Sequence, residues 1–179
     1  MPKNNRNGQA EIWDDKVLDM VMAELSPSMR SLFSICRYTG CRVSEARQLK
    51  AEDVVNDHIV FRKVTTKGQS TRQVKLHPTL ADVLEDEALP AAGYLFPGRK
   101  GDRPITRQAC DKALREACDL LGFEGFSTHS FRRTALTRMS NAGVPLRVIQ
   151  EISGHRSLAE LQKYLAVTEE QVEGAIGFL

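Results

Sequence analysis

Apolar positions recur every three or four residues through most of this 179-residue chain, and only one short stretch alternates. Around Trp13 to Leu25, the residues Ile12, Val17, Met20, Val21 and Leu25 form a stripe that predicts an amphipathic helix. Ser26-Pro27 predicts the next helix start, because proline in the first turn has no amide to leave unpaired. That helix runs through Leu32, Phe33 and Ile35 to Tyr38, and Gly40 stops it. A short third helix follows from Val43 to about Leu49. The period then changes to two. Residues 57–63 and 69–76 read as two strands, with Thr65-Thr66-Lys67-Gly68 as the turn region between them.

His77-Pro78 ends the second strand, and 80–89 returns to a helical pattern. Residues 89–106 are irregular and rich in Gly and Pro, with Tyr94-Leu95-Phe96 as their apolar anchor. Thr106 caps a helix through Leu121 in which Ala109, Ala113, Leu114, Ala117 and Leu121 keep helical spacing. Ser127 or Thr128 caps the next, which reaches Asn141. Pro145 opens another that Gly154 stops, Ser157 caps the helix bearing Tyr164, and Thr168 caps a final Glu-rich helix. The expected fold is mainly α with a small antiparallel β-hairpin or sheet, an α+β class. The expected organisation is a flexible polar lead at 1–10 and one domain at 11–179, a length that suits a single core.

Composition narrows the class without naming a chemistry. The chain is 41% apolar and 27% charged, as ordinary globular proteins are. No run approaches the roughly 18 apolar residues that span a bilayer, and the first residues lack the apolar centre of a secretory signal. A cytoplasmic protein with no membrane partner is expected. Cys36, Cys41, Cys110 and Cys118 lack CxxC spacing, so reduced, partly buried thiols are expected rather than zinc ligands or disulfides.

Net charge is only +2, but its distribution is uneven. Residues 42–75 carry eight Lys/Arg against four Asp/Glu, and 127–164 carry six against two. The stretch between them is net acidic. A charged face is the expectation, with Arg62, Lys63, Arg72, Arg133 and Arg156 as candidate contacts to an anionic polymer.

The candidate chemistry lies inside the two basic segments. His129-Ser130-Phe131-Arg132 places a histidine and an arginine on one face in the first turn of a helix, beside free backbone amides. Taken alone, HxxR is common by chance. Arg42 follows a glycine turn among apolar neighbours, with Glu45 at i+3 where it can orient the guanidinium or simply pair on the surface. Lys67 sits at the tip of the polar hairpin, as a solvated cation or as a donor to a leaving oxygen. Tyr164 stands nine residues after His155. A phenol titrates near 10 and needs cationic neighbours to become a nucleophile near neutral pH. No carboxylate cluster suits a two-metal nuclease, no P-loop is present and no Gly-x-Ser-x-Gly elbow offers a serine.

The order Thr39-Gly40-Cys41-Arg42-Val43-Ser44-Glu45, hairpin Lys67, His129-Ser130-Phe131-Arg132, Ser153-Gly154-His155 and Tyr164 resembles the tyrosine recombinase (phage integrase) family over nearly all of the chain from Phe33 onward. The resemblance implies that Tyr164 attacks a DNA phosphodiester to give a 3′-phosphotyrosyl link and a free 5′-hydroxyl. It implies that Arg42 and Arg132 clamp the non-bridging oxygens. His129 and His155 donate to the same phosphate or help move the tyrosine proton, Lys67 protonates the 5′-oxygen, and Glu45 supports the arginines. No metal, cofactor or ATP is implied. The implied partners are double-stranded DNA and, when assembled on it, further copies in a tetramer. Two departures stand out: Arg133 occupies a position often held by histidine, and Glu160 to Lys163 replace small hydroxylated residues before the tyrosine. Only about 40 residues precede Arg42, so no separate N-terminal core-binding domain is expected in this sequence. A type IB topoisomerase-like relaxing activity and a non-catalytic DNA-binding regulator are the alternative readings.

Overall fold

The computed structural model describes residues 9–65, 70–87, 89–165, 167 and 169–177. Most of the expected polar lead, the hairpin tip with Lys67, and the expected cap Thr168 therefore lie outside the described residues. The described elements are α1 (Asp15–Ala23), α2 (Pro27–Thr39), α3 (Val43–Ala46), β1 (Val54–Val55), β2 (His58–Phe61), β3 (Arg72–Lys75), α4 (Pro78–Asp86), α5 (Arg107–Leu120), α6 (Thr128–Asn141), α7 (Leu146–Ser153), α8 (Leu158–Gln162) and α9 (Glu169–Ile176). Among them, no helix is long and apolar enough to cross a membrane.

The mainly helical α+β expectation matches the structure, with one strand more than the sequence pattern marks. The sheet is antiparallel in the order β1-β2-β3. β1 is only two residues long, too short for alternation to register. The Val55–His58 pairing closes over a turn in which Asn56 takes a left-handed φ of 53°, a conformation asparagine tolerates. β2 and β3 pair Ile59 with Val74 and Phe61 with Arg72, so Ile59, Phe61 and Val74 face the core.

Two helices bury most of the expected stripe, widened or shifted at single positions. In α1 the inward residues are Leu18, Val21 and Met22, followed by Leu25, whereas Met20 is 49% exposed. The phase is set by Trp13, which stacks on Phe126 at 3.8 Å and anchors the helix entry. In α5 the buried stripe is Cys110, Leu114, Ala117 and Cys118, two of the cysteines acting as small hydrophobes. All four cysteines are free and buried.

Around α2, nearly every residue of which has buried neighbours, one core runs from Trp13 to Phe131. Helix α6 is unusual in burying polar groups. Thr134 Oγ1 accepts the Trp13 amide at 2.8 Å, and Thr128 Oγ1 donates to Asp111 at 2.9 Å. A second, smaller cluster of Leu136, Ile149 and Leu161 packs α6, α7 and α8 together beneath Tyr164. The last residue of the expected polar lead is also docked, Arg133 Nη1 donating to the Ala10 carbonyl at 2.6 Å, and beside it the Glu11 amide donates to the Gly125 carbonyl at 3.1 Å.

Candidate active site

Each chemical side chain enters from an element whose end the local sequence fixes. Gly40 stops α2 in a left-handed conformation, φ 63°, and turns its carbonyl toward α6. Arg42 then caps the short α3, where Glu45 accepts the Arg42 amide at 2.8 Å. Gly154, φ 66°, ends α7 and delivers His155. Ser157 caps α8 by accepting the Glu160 amide, but that helix stops at Gln162. Tyr164 therefore lies just beyond the helix expected to carry it, in a turn closed by its amide to Leu161 at 2.9 Å.

Arg132 is 1% exposed and fully organised by the backbone around it. Nη1 donates to the Gly40 carbonyl at 2.7 Å and Nη2 to Ser153 at 2.9 Å. Nη2 also lies 3.2 and 3.0 Å from the two ring nitrogens of His155, a placement possible only over the imidazole face. Burial, then the nearby Arg42 charge, lowers Arg132 to about 10, which still leaves it cationic near neutral pH. The same burial, followed by the fields of Arg132, Arg42 and Arg72, pushes His155 down to about 3. His155 is accordingly a neutral imidazole there, with Nδ1 2.7 Å from Ser153 Oγ and its carbonyl accepting from Gln150.

The Tyr164 ring sits against both groups, 5.0 Å from the His155 ring and 5.5 Å from the Arg132 guanidinium carbon. Tyr164, Arg132, Arg42 and His129 line one cleft of about 220 Å³, together with Val43, Ser44, Arg107 and Thr128. His129 and Arg132 do share this cleft, yet His129 is exposed and Arg132 is buried. Arg42 Nη1 and Arg132 Nε are buried without any hydrogen-bond acceptor among the described residues. Arg47 Nε, Arg62 Nη2 and Arg133 Nε lack an acceptor as well, but Arg42 and Arg132 line the cleft, where an anion would satisfy both.

Glu45 is the carboxylate at the centre. Burial would raise its pKa, but the hydrogen bonds and charge of Arg72 win and hold it below the usual range. Its oxygens take Arg72 Nη1 at 3.1 Å and Nη2 at 3.0 Å, while Arg42 Nη1 stays 3.6 Å away. The Glu45–Arg42 orientation expected from i+3 spacing is thus carried mainly by the Arg42 amide.

The candidate contacts outside the cleft divide in two. Lys63 and Arg156 are exposed. Arg62 is bonded to Asp53 and lies 3.1 Å from Glu52, Arg133 holds Ala10, and the Arg72 side chain is only 8% exposed against Glu45. All three guanidiniums carry acidic or carbonyl partners within the protein, although Arg62 Nη2 and Arg133 Nε lack a hydrogen-bond acceptor among the described residues. Arg72 is the residue whose place sequence reasoning misread. Strand alternation could have found it, since 72 and 74 share a face and Val74 is in the core. Arg107 and Gln150 carried no sequence signal of their own, while Thr128 was marked only as a helix cap and Ser153 only as a neighbour of His155.

Residues 14–171 match the profile of the Phage integrase family. Tyrosine recombinase XerC of Bifidobacterium longum (strain DJO10A) is 33% identical over 158 residues, covering 78% of this chain and 43% of that protein. Among solved structures, the XerA recombinase superposes with a TM-score of 0.76 at 21% identity, over 98% of this chain and 65% of that one. The Tn1549 transposon integrase in complex with a circular intermediate DNA gives 0.78 at 16% identity, over 97% and 67%. The chain spans about half the length of the curated relatives it matches.

Proposed function

This chain belongs to the phage integrase family, and from that premise we propose that it is the catalytic unit of a site-specific DNA recombinase. The carrying observation is the cleft in which Tyr164 stands against a buried arginine, with two guanidinium donors still lacking an acceptor. A scissile phosphate supplies those acceptors. Arg42 and Arg132 bind its non-bridging oxygens, where negative charge grows in the transition state. Tyr164 attacks phosphorus as its phenol proton passes to His129 or to solvent; the P–O bond to the 5′-oxygen breaks, and that oxygen takes a proton from Lys67. The phosphotyrosyl ester keeps the energy of the broken link, so a new 5′-hydroxyl can displace the tyrosine without ATP.

Neutral His155 orients Arg132 and the phosphate rather than serving as an acid. Exposed His129 borders the same cleft, where it donates to the phosphate. Double-stranded DNA is the substrate; the Tn1549 transposon integrase, whose fold this chain shares, is found in complex with a circular intermediate DNA. Four copies assemble on the DNA during strand exchange, in the cytoplasm where that DNA lies.

The test is a pool of randomised nicked duplexes in which cleavage releases a short fragment and traps the enzyme. A covalent adduct mapped to Tyr164, and absent from Tyr164→Phe, is the expected result. No adduct from a folded chain overturns the proposal. Relaxation of plasmids of unrelated sequence would indicate a topoisomerase-like enzyme instead, and an unaltered biological function in Tyr164→Phe would indicate a regulator.

A further inference from the structure

We propose that Arg72 is a positioning residue for strand cleavage: by occupying Glu45 and seating the turn before His155, it keeps the Arg42 guanidinium available to the phosphate. The inference rests on the recombinase reading above. Its grounds are the contacts of one side chain. Arg72 leaves β3 on the inner face, lies over the Phe61 ring at 4.4 Å, and spends all three nitrogens inside the protein. Nε donates to the Ile152 carbonyl at 2.9 Å, while Nη1 and Nη2 donate side by side to the two Glu45 oxygens.

Three segments of the site therefore meet on Arg72. The first is α3, through Glu45, which also fixes the Arg42 amide. The second is the turn that delivers His155. Gly154 there has φ 66°, and an added Cβ would come within 3.1 Å of Arg72 Nη1, so the turn is wrapped directly on the guanidinium. The third is the sheet, whose β2–β3 connection contains Lys67.

The competition for Glu45 gives this arrangement a mechanistic sense. Glu45 is 1% exposed and lies between two arginines. With Arg72 in place its oxygens are turned to β3, and Arg42 Nη1 remains 3.6 Å off without an acceptor. Without Arg72, the nearest cation for a buried carboxylate is Arg42. A full Glu45–Arg42 pair would withdraw the donor that the phosphate needs. Arg72 thus acts without touching DNA.

The experiment uses the duplex recovered most often as adduct from the randomised pool. Single-turnover cleavage is measured for the whole chain and for Arg72→Gln, Arg72→Lys and the double variant Arg72→Gln/Glu45→Gln. Binding is measured for the same set in a Tyr164→Phe background, at a temperature where each variant is folded. Arg72→Gln is expected to slow cleavage about a hundredfold, the size of a lost transition-state donor, with the dissociation constant unchanged. Arg72→Lys recovers part of that loss. The double variant, which carries no buried carboxylate to capture Arg42 and so also folds if the single variant does not, cleaves faster than Arg72→Gln. Weakened binding that accounts for the slower cleavage makes Arg72 a DNA contact and overturns the proposal. So does undiminished cleavage in Arg72→Gln, or a double variant no faster than the single one. A wild-type chain that forms no adduct overturns the recombinase reading and this inference together, whereas a wild-type adduct with any of those results overturns this inference alone.

Discussion

Arg132 and His129 lie one helical turn apart on α6 and border the same cleft, but they belong to two different kinds of site. Arg132 is buried, hydrogen-bonded to two carbonyls and covered by an imidazole, while His129 is exposed on the rim. Around Arg132 gather His155, Glu45 and Arg72, all in the protein interior and all with defined partners. On the rim stand His129, the half-buried Tyr164, and the exposed Lys63 and Arg156. The buried half is already arranged for an oxyanion before DNA arrives, and such fixed dipoles need no reorganisation in the transition state. On the proposed function, the difference teaches that electrostatic stabilisation and substrate grip would be held by separate sets of cations, and could be broken separately.

The largest break is expected at Arg132→Lys. One ammonium cannot reach Gly40, Ser153 and the phosphate at once, so single-turnover cleavage should fall about 10²- to 10³-fold. Loss of buried, charge-assisted bonds should also lower stability by about 1.5–3 kcal/mol, read by urea unfolding. A loss of cleavage below tenfold would mean that this burial serves folding alone.

A middling effect concerns pH. The His155 imidazole is held at about 3 in the folded chain, against 6.5 for a free one. Between those values the unfolded chain binds more protons, so stability is fully present above 6.5 and declines as pH falls toward 3. The decline from this residue should approach about 1.4 kcal/mol per pH unit at most. Urea unfolding between pH 6.5 and 5, above the carboxylate range, should show that slope in the wild type and a flatter one in His155→Gln. Coincident slopes would show that the imidazole is not kept neutral.

The smallest effects are expected on the rim and the flank. Lys63→Ala and Arg156→Ala should each weaken DNA binding modestly and reduce the salt slope of the affinity by about 1, with stability nearly unchanged. Arg62→Ala and Arg133→Ala should leave the salt slope alone, since their guanidiniums bond to Asp53 and to Ala10. Equal slopes for all four variants would erase the division between occupied and outward-facing cations.

Much of this was legible from residue order. Ser26-Pro27, Thr106 and Ser157 each open a helix, and Gly40 and Gly154 each close one, because caps and left-handed stops are local choices of the chain. The same two glycines place Arg42 and His155, so motif and punctuation pointed to the same residues. Sequence alone thus determined the helical character, the places where helices stop, and the candidate groups of the proposed site. Only the tertiary structure decided which cations face inward. Arg72 and Arg62 look equally fit to meet DNA in the sequence, yet Glu45 and Asp53, 27 and nine residues away from them, claim them. The depressed His155, the outward turn of Met20 on α1, and the unsatisfied donors of Arg42 and Arg132 likewise depend on what packs across the core. Desolvation and ion pairing are properties of neighbours in space, and the periodicity of one segment carries no record of them.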